Sequence, residues 1–219
     1  MKLNLQFLVG VLALASLGTA LGQGTIYTSR SAFEASLSSS TTITFENLPV
    51  TYPFGLGESS VTSSGATFTT PDARLFITGP GGLYPVPGDG KYLLHWDGGS
   101  PVTVLLPGGI TAVGADFSGG IEPDPSYNAT LTVNLVGGGS YVHNFSGPRA
   151  LWTFFGVTYS EPISSLVYDD GGPSAPFALH EEMLDNVTFG NVIPESGMFA
   201  FLALGGLLLG WRMRRVSSK

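Results

Sequence analysis

Short alternations of apolar and polar residues, each broken by Gly, Pro, Asn or Asp, run through the middle of this 219-residue chain. A period of two marks a strand with one buried face. Leu131, Val133 and Leu135 point one way, and Thr130, Thr132 and Asn134 the other. Val102, Val104 and Leu106 repeat the pattern against Thr103. The same reading predicts strands at 41–46, 61–70, 74–78, 91–96, 101–106, 110–117, 129–136, 140–145, 151–159, 163–168, 177–180 and 184–189, after a β-branched run at 25–28. One stretch departs from it. Within 29–37, Ser31 and Glu34 stand at capping-box spacing while Phe33 and Leu37 share a helical face, which predicts one short N-terminal helix. Strands with no helices between them exclude a parallel α/β sheet. The expected closure is all-β: an antiparallel β-sandwich of jelly-roll, lectin-like type. Gly137-Gly138-Gly139 reads as the loop of a hairpin, because glycine tolerates positive φ.

The two ends follow a different pattern. Met1-Lys2 leads into an apolar run from Leu3 to Leu17, followed by the small residues of Gly18-Thr19-Ala20-Leu21-Gly22. This is the layout of a secretory signal peptide at 1–22, with cleavage after Ala20 or Gly22 both consistent. A second apolar run, 198–211 (MFAFLALGGLLLGW), ends the chain and is closed by Arg212, Arg214, Arg215 and Lys219. Fourteen helical residues reach ~21 Å, so this transmembrane helix is short against a ~30 Å hydrocarbon core. The cations should remain cytoplasmic and the preceding bulk outside.

Just before that run stand Pro194, Glu195 and Ser196. A Pro-Glu element, a short apolar helix and an Arg-rich end, in that order, resemble the PEP-CTERM sorting tail over 192–219. Ser196 occupies the position where that family usually has Pro. The resemblance implies a bacterial envelope, an exosortase-type membrane protease and export machinery as partners, and processing near Pro194-Glu195. It also implies residence at the cell surface or in the extracellular matrix, held transiently or permanently by the helix. Segments such as Ile43-Thr44-Phe45-Glu46-Asn47-Leu48 and Leu184-Asp185-Asn186-Val187-Thr188-Phe189-Gly190 also resemble extracellular domains that commonly precede this tail. What that likeness implies for 23–191 is a lectin-like or carbohydrate-binding-module-like sandwich.

Charge then sharpens the partition. The chain has 9 Lys+Arg against 16 Asp+Glu, yet a mean hydropathy of +0.27. The apolar ends account for the hydropathy and for most of the cations. Between them Arg30, Arg74, Lys91 and Arg149 face fifteen carboxylates, which leaves the domain near −11. Such a surface repels phosphate backbones, so nucleic acid is not a partner. The absence of cysteine excludes disulfides, thiolate metal sites and a Cys nucleophile.

Candidate chemistry is sparse. His95, His143 and His180 form no HExxH or i, i+4 pair, and there is no Gly-x-Ser-x-Gly elbow. No catalytic residue is assigned, and the domain is expected to be non-enzymatic. A glycan-active enzyme using Glu46, Asp116 or Asp185 is the third reading, behind a purely structural envelope protein and a carbohydrate-binding module. His180, Glu181, Glu182 and Asp185 are ligand-type residues that read equally well as a solvated acidic turn before the last strand. Calcium is the better-suited ion, because hard cations take several loop carboxylates. Its candidate donors are Glu46, Asp116, Asp169, Asp170 and Asp185, with Glu122 and Asp124 nearby in type. For extracellular polysaccharide, Trp96 is the candidate stacking platform, since Trp96-Asp97-Gly98-Gly99 places it at a strand end beside a polar loop; Trp152 reads as core.

Overall fold

The computed structural model describes residues 24–51, 57–79, 90–96, 100–119, 125–149, 151–171 and 181–193. The segments at 1–23 and 194–219, which carry the expected export signal and sorting tail, lie outside them, as does the expected strand at 177–180. Among the described residues no helix is long and apolar enough to cross a membrane.

The expected alternation becomes strand along most of its length. The strands are β1 (Thr25–Tyr27), β2 (Leu37–Ile43), β3 (Ser60–Ser63), β4 (Ala66–Thr69), β5 (Leu75–Thr78), β6 (Tyr92–Trp96) and β7 (Val102–Leu105). They continue with β8 (Ala112–Gly119), β9 (Ser126–Leu135), β10 (Ser140–Pro148), β11 (Thr153–Thr158), β12 (Ile163–Asp169) and β13 (Glu181–Val192). The single helix, α1, spans Arg30–Ala35. Its cap is Ser29, whose carbonyl accepts the Phe33 N–H at 3.0 Å, so Ser31 does not open a capping box. Phe33 is buried and Leu37 already belongs to β2.

Two departures from the sequence reading have backbone causes. The single strand expected at 61–70 is a hairpin, because Ser64 (φ 48°) and Gly65 (φ 84°) both turn left-handed between β3 and β4. Positive φ at both central residues is what a two-residue hairpin turn needs. The strand expected at 41–46 stops at Ile43, because Phe45 adopts φ 58°. That costs strain, offset by burial: Phe45 is 2% exposed and meets the Phe68 ring edge-on at 5.2 Å.

All pairings are antiparallel, in two sheets. The first runs β1-β11-β8-β13-β6-β5, with β2 also on β13; the second runs β10-β9-β12-β7-β4-β3. Their facing sides form one core, in which Phe68, Val104, Leu131, Val133 and Tyr168 of the second sheet oppose Leu93, Phe117, Leu184 and Phe189 of the first. Leu131, Val133 and Leu135 are buried as the alternation required. A smaller cluster of Phe76, Tyr92, Leu94 and Met183 lies against half-buried Trp96 and Trp152. Strand β13 extends past the expected domain end at 191 to Val192, and Ile193 N–H donates to Ser36 O at 2.8 Å. Phe117 is fully buried, with Tyr168 at 4.7 Å and Phe145 at 5.2 Å between ring centroids. Phe117→Ala should therefore cost roughly 3–5 kcal/mol in urea unfolding, with little change in m-value.

Candidate functional site

Strand β13 carries the carboxylates that the sequence singled out. It pairs β8 along its length on one side; on the other it pairs β6 through Leu184 and β2 from Val187. Between those partners the register with β8 shifts, and Asn186 takes φ 48°. Asn tolerates that conformation better than most residues. The bulge brings Asp185 opposite Asp116 in register, and the Asn186 amide Nδ2 bridges them, donating to Asp116 Oδ2 at 2.9 Å and Asp185 Oδ2 at 3.2 Å. The Asn186 N–H donates to Asp185 Oδ1 at 2.6 Å.

The cation of this group comes from α1. Arg30 Nη2 lies 3.0 Å from Asp116 Oδ1 and donates to Asn186 O at 3.0 Å. Its Nη1 donates to Thr188 Oγ1 at 3.0 Å, and its guanidinium stacks 4.7 Å above the Phe154 ring. Glu46 approaches from beyond β2, where its Oε1 accepts the Lys91 N–H at 2.6 Å. Burial, with the charges of Asp116 and Glu46, pushes the Asp185 carboxyl up to about 7 against the opposing Asn186 hydrogen bond and Arg30. The three carboxylates named from sequence therefore share one electrostatic environment.

Asp169 and Asp170 lie elsewhere. At the end of β12 they come together with Glu182 of β13, with one carboxylate oxygen from each within 4.8 Å of the others. This is the metal-sized grouping among the described residues, so the five calcium candidates divide into two clusters. Glu182 stood among the ligand-type residues of the sequence but not among the calcium candidates, and Glu181 and Glu182, each 1% exposed, are buried in β13 rather than placed in a solvated turn. Glu182 Oε2 is 2.7 Å from His95 Nδ1, and His95 Nε2 is 3.0 Å from Asp72 Oδ1 and 3.1 Å from Thr70 Oγ1. Arg149 Nη1 stands 3.7 Å from Asp170 Oδ2. Burial opposes charging His95, but the hydrogen bonds and charges of Glu182 and Asp72 outweigh it and raise its pKa. The alternation in β6 held the signal for this network: His95 shares the core-facing side with Leu93, where an imidazole needs polar partners.

Trp96 is half-buried at the end of β6 and packs against the Phe76–Leu94–Met183 cluster, where Trp152 also lies, with its ring 5.5 Å from Tyr92. Glu122, Asp124 and His180, together with Pro194, Glu195, Ser196, Arg212, Arg214 and Arg215, lie outside the described residues.

The sequence reading did not anticipate the outer side of the second sheet. Ser60, Thr69, Thr103, Val167, Thr132 and Val142 form one cross-strand row over all six strands. Thr62, Thr67, Leu105, Ser165, Asn134 and Ser140 form the next. Neither row contains a charged side chain. Neighbouring positions are about 4.8 Å apart between strands and about 6.7 Å apart along them. Side chains pair across the rows, as in Thr62–Thr67 at 3.1 Å and Asn134 Nδ2 donating to Ser165 Oγ at 3.0 Å. At the β9–β10 end a shallow depression of about 330 Å³ is lined by Asn128, Thr130, Asn144 and Ser146.

No family model matches the chain, and no curated protein matches it. Among solved structures it is similar to the CBM22-1 xylan-binding domain from Paenibacillus barcinonensis, at 12% identity and TM-score 0.40, covering 69% of this chain and 93% of that one. It is similar to an exo-beta-agarase at 13% identity and TM-score 0.41, covering 73% of this chain and 26% of that one. It is also similar to the family 11 carbohydrate-binding module from Clostridium thermocellum, solved with a mixed-linked tetrasaccharide, at 12% identity and TM-score 0.36, covering 70% and 96%. At these scores the likenesses carry no argument about ligand or activity.

Because the Asp185 pKa is raised above its ordinary 3.8, the folded domain holds that proton more tightly than the unfolded chain. The corresponding stability is complete below about pH 4 and is lost as pH climbs through about 7. Asp185→Asn should therefore raise Tm at about pH 8, with the gain shrinking toward zero near pH 4 in thermal melts across that range.

Proposed function

We propose that this chain is an exported, surface-sorted envelope protein whose non-catalytic, lectin-like β-sandwich binds extracellular polysaccharide. The observation that carries the reading is the pair of uncharged, Ser/Thr-rich rows on the outer side of the second sheet, on an otherwise acidic domain; Asp169 enters only in the next row, opposite Thr130. A neutral polyhydroxylated chain matches those rows: it exchanges hydrogen bonds with their hydroxyl and amide groups. In the same reading export proceeds from 1–22, and 192–219 is the sorting tail handled by an exosortase-type protease around Pro194, Glu195 and Ser196. The non-catalytic part is supported by Asp116 and Asp185, whose carboxylates are tied to Asn186 and Arg30 instead of standing open to a substrate.

The Asp169–Asp170–Glu182 grouping supports a structural calcium ion as a second element of this reading. Calcium bound there would raise Tm in millimolar calcium, reversibly with chelator, and the rise would disappear in Asp169→Asn.

Affinity electrophoresis of the full chain through neutral polysaccharides tests the ligand. Retardation should weaken about three- to tenfold in the Asn128→Ala/Thr132→Ala double variant, the scale of one or two hydrogen bonds. Retardation lost only in Trp96→Ala would move the site to the first sheet. No retardation on any neutral glycan would leave a purely structural envelope protein. For sorting, truncation after Asn191 should shift the protein from the envelope fraction to the medium, and unchanged fractionation would count against the tail.

A further inference from the structure

Among the described residues the two sheets leave open edges, and their lengths differ. In the first sheet β1 has three residues, β5 four, and β2, paired to β13 alone, seven with a register shift; in the second, β3 has four and β10 nine without one. Natural sheets blunt their edges with short strands, charges, prolines or bulges. Strand β10 has none of these along 140–147: all nine of its residues pair β9 without a register shift, none is Asp, Glu, Lys or Arg, and its one proline is the terminal Pro148. Val142 on it is 60% exposed.

The ladder parity gives the direction of each backbone group. Leu135 N–H donates to Gly139 O and Arg149 N–H to Pro125 O, so odd-numbered positions of β10 bond to β9. The N–H and C=O groups of Ser140, Val142, Asn144 and Ser146 therefore face the open edge.

The edge sequence is also nearly palindromic. Around His143 it reads Ser140-Tyr141-Val142-His143-Asn144-Phe145-Ser146. Antiparallel pairing about His143 sets Ser140 against Ser146, Val142 against Asn144 and Tyr141 against Phe145 of a second strand. Only even positions then meet even positions in the hydrogen-bonded pairs, so about eight main-chain bonds form without involving Pro148. The aromatic pair falls on the core-facing side, where such cross-strand pairs are favourable.

We propose that β10 is a self-association edge: two copies of this chain pair β10 to β10 across a two-fold axis at His143, joining their second sheets into one of twelve strands. The occupant is a second copy because the edge complements its own sequence and adds no like charge to the pairing. Two acidic molecules repel at longer range, so added salt tightens the dimer. This inference is independent of the ligand reading, although the dimer would extend the uncharged rows.

Sedimentation velocity of the full chain in one mild detergent, over a concentration series, tests it. A monomer–dimer equilibrium should appear and tighten with salt. Asn144→Pro removes an N–H that β9 does not use, and should weaken association at least about tenfold with unchanged circular dichroism. Val142→Lys provides the same test if the proline variant fails to fold. Since the wild type has no cysteine, a mixture of Val142→Cys and Asn144→Cys chains should form a disulfide-linked heterodimer faster than either does with Thr62→Cys. A monomer at all concentrations, a dimer unaffected by the folded substitutions, or equal cross-linking to Thr62→Cys would each overturn the proposal.

Discussion

The division of β13 between two partners is the constraint on which the rest of the molecule depends. A twelve-residue strand is long for a domain of this size. Its far side is served by β8 alone, whereas its near side is shared by β6 and β2, which arrive from distant parts of the chain. Neither reaches across the middle. At that join the backbone bulges, Asn186 turns left-handed, and α1 lays Arg30 over the exposed carbonyl of Asn186. The helix and β1 thus follow from β13: Phe33 seals the sheet beside Phe154 at 5.6 Å between ring centroids, and Arg30 fixes its depth.

Both carboxylate clusters are by-products of the same strand. Its first half carries Glu182 into the space between the sheets, where His95 and Asp72 form a chain of short polar contacts around it. Its middle carries Asp185 to the bulge. Burying charge in this way is expensive unless each oxygen finds a donor. The domain offsets that cost with few cations: Arg30 serves one cluster, while Arg149 and the imidazole of His95 serve the other, Arg149 as an ion pair at 3.7 Å without a hydrogen bond to Asp170 Oδ2.

Much of this was legible in the chain. Alternation located the strands because a sheet with one buried face must alternate, and Leu131, Val133 and Leu135 are buried accordingly. Glu46, Asp116 and Asp185 stood out by residue type, but Asp116 and Asp185 lie inside β8 and β13 rather than at strand ends, and it is the cross-strand register that brings them together. What escaped depends on partners distant in sequence. The Ser64–Gly65 turn was hidden inside a β-like run, since Ser64 carries no mark of its left-handed φ. Glu181 and Glu182 look like a solvated turn until β6 and β8 enclose them. The uncharged rows of the outer face are invisible because they run across strands whose registers no local pattern specifies.

The pairing of β2 with β13 sets the order in which the domain can form. Ser39 lies opposite Asn191, and Thr25 opposite Thr158, so the earliest strands are completed by the latest. A chain emerging from its N-terminus therefore holds β1 without its partner until β11 is made, and β2 until β13 is made. Contacts of such sequence separation form slowly. The hairpins β3–β4 and β9–β10 can assemble as they emerge, but the first sheet is completed only by β13, its final piece.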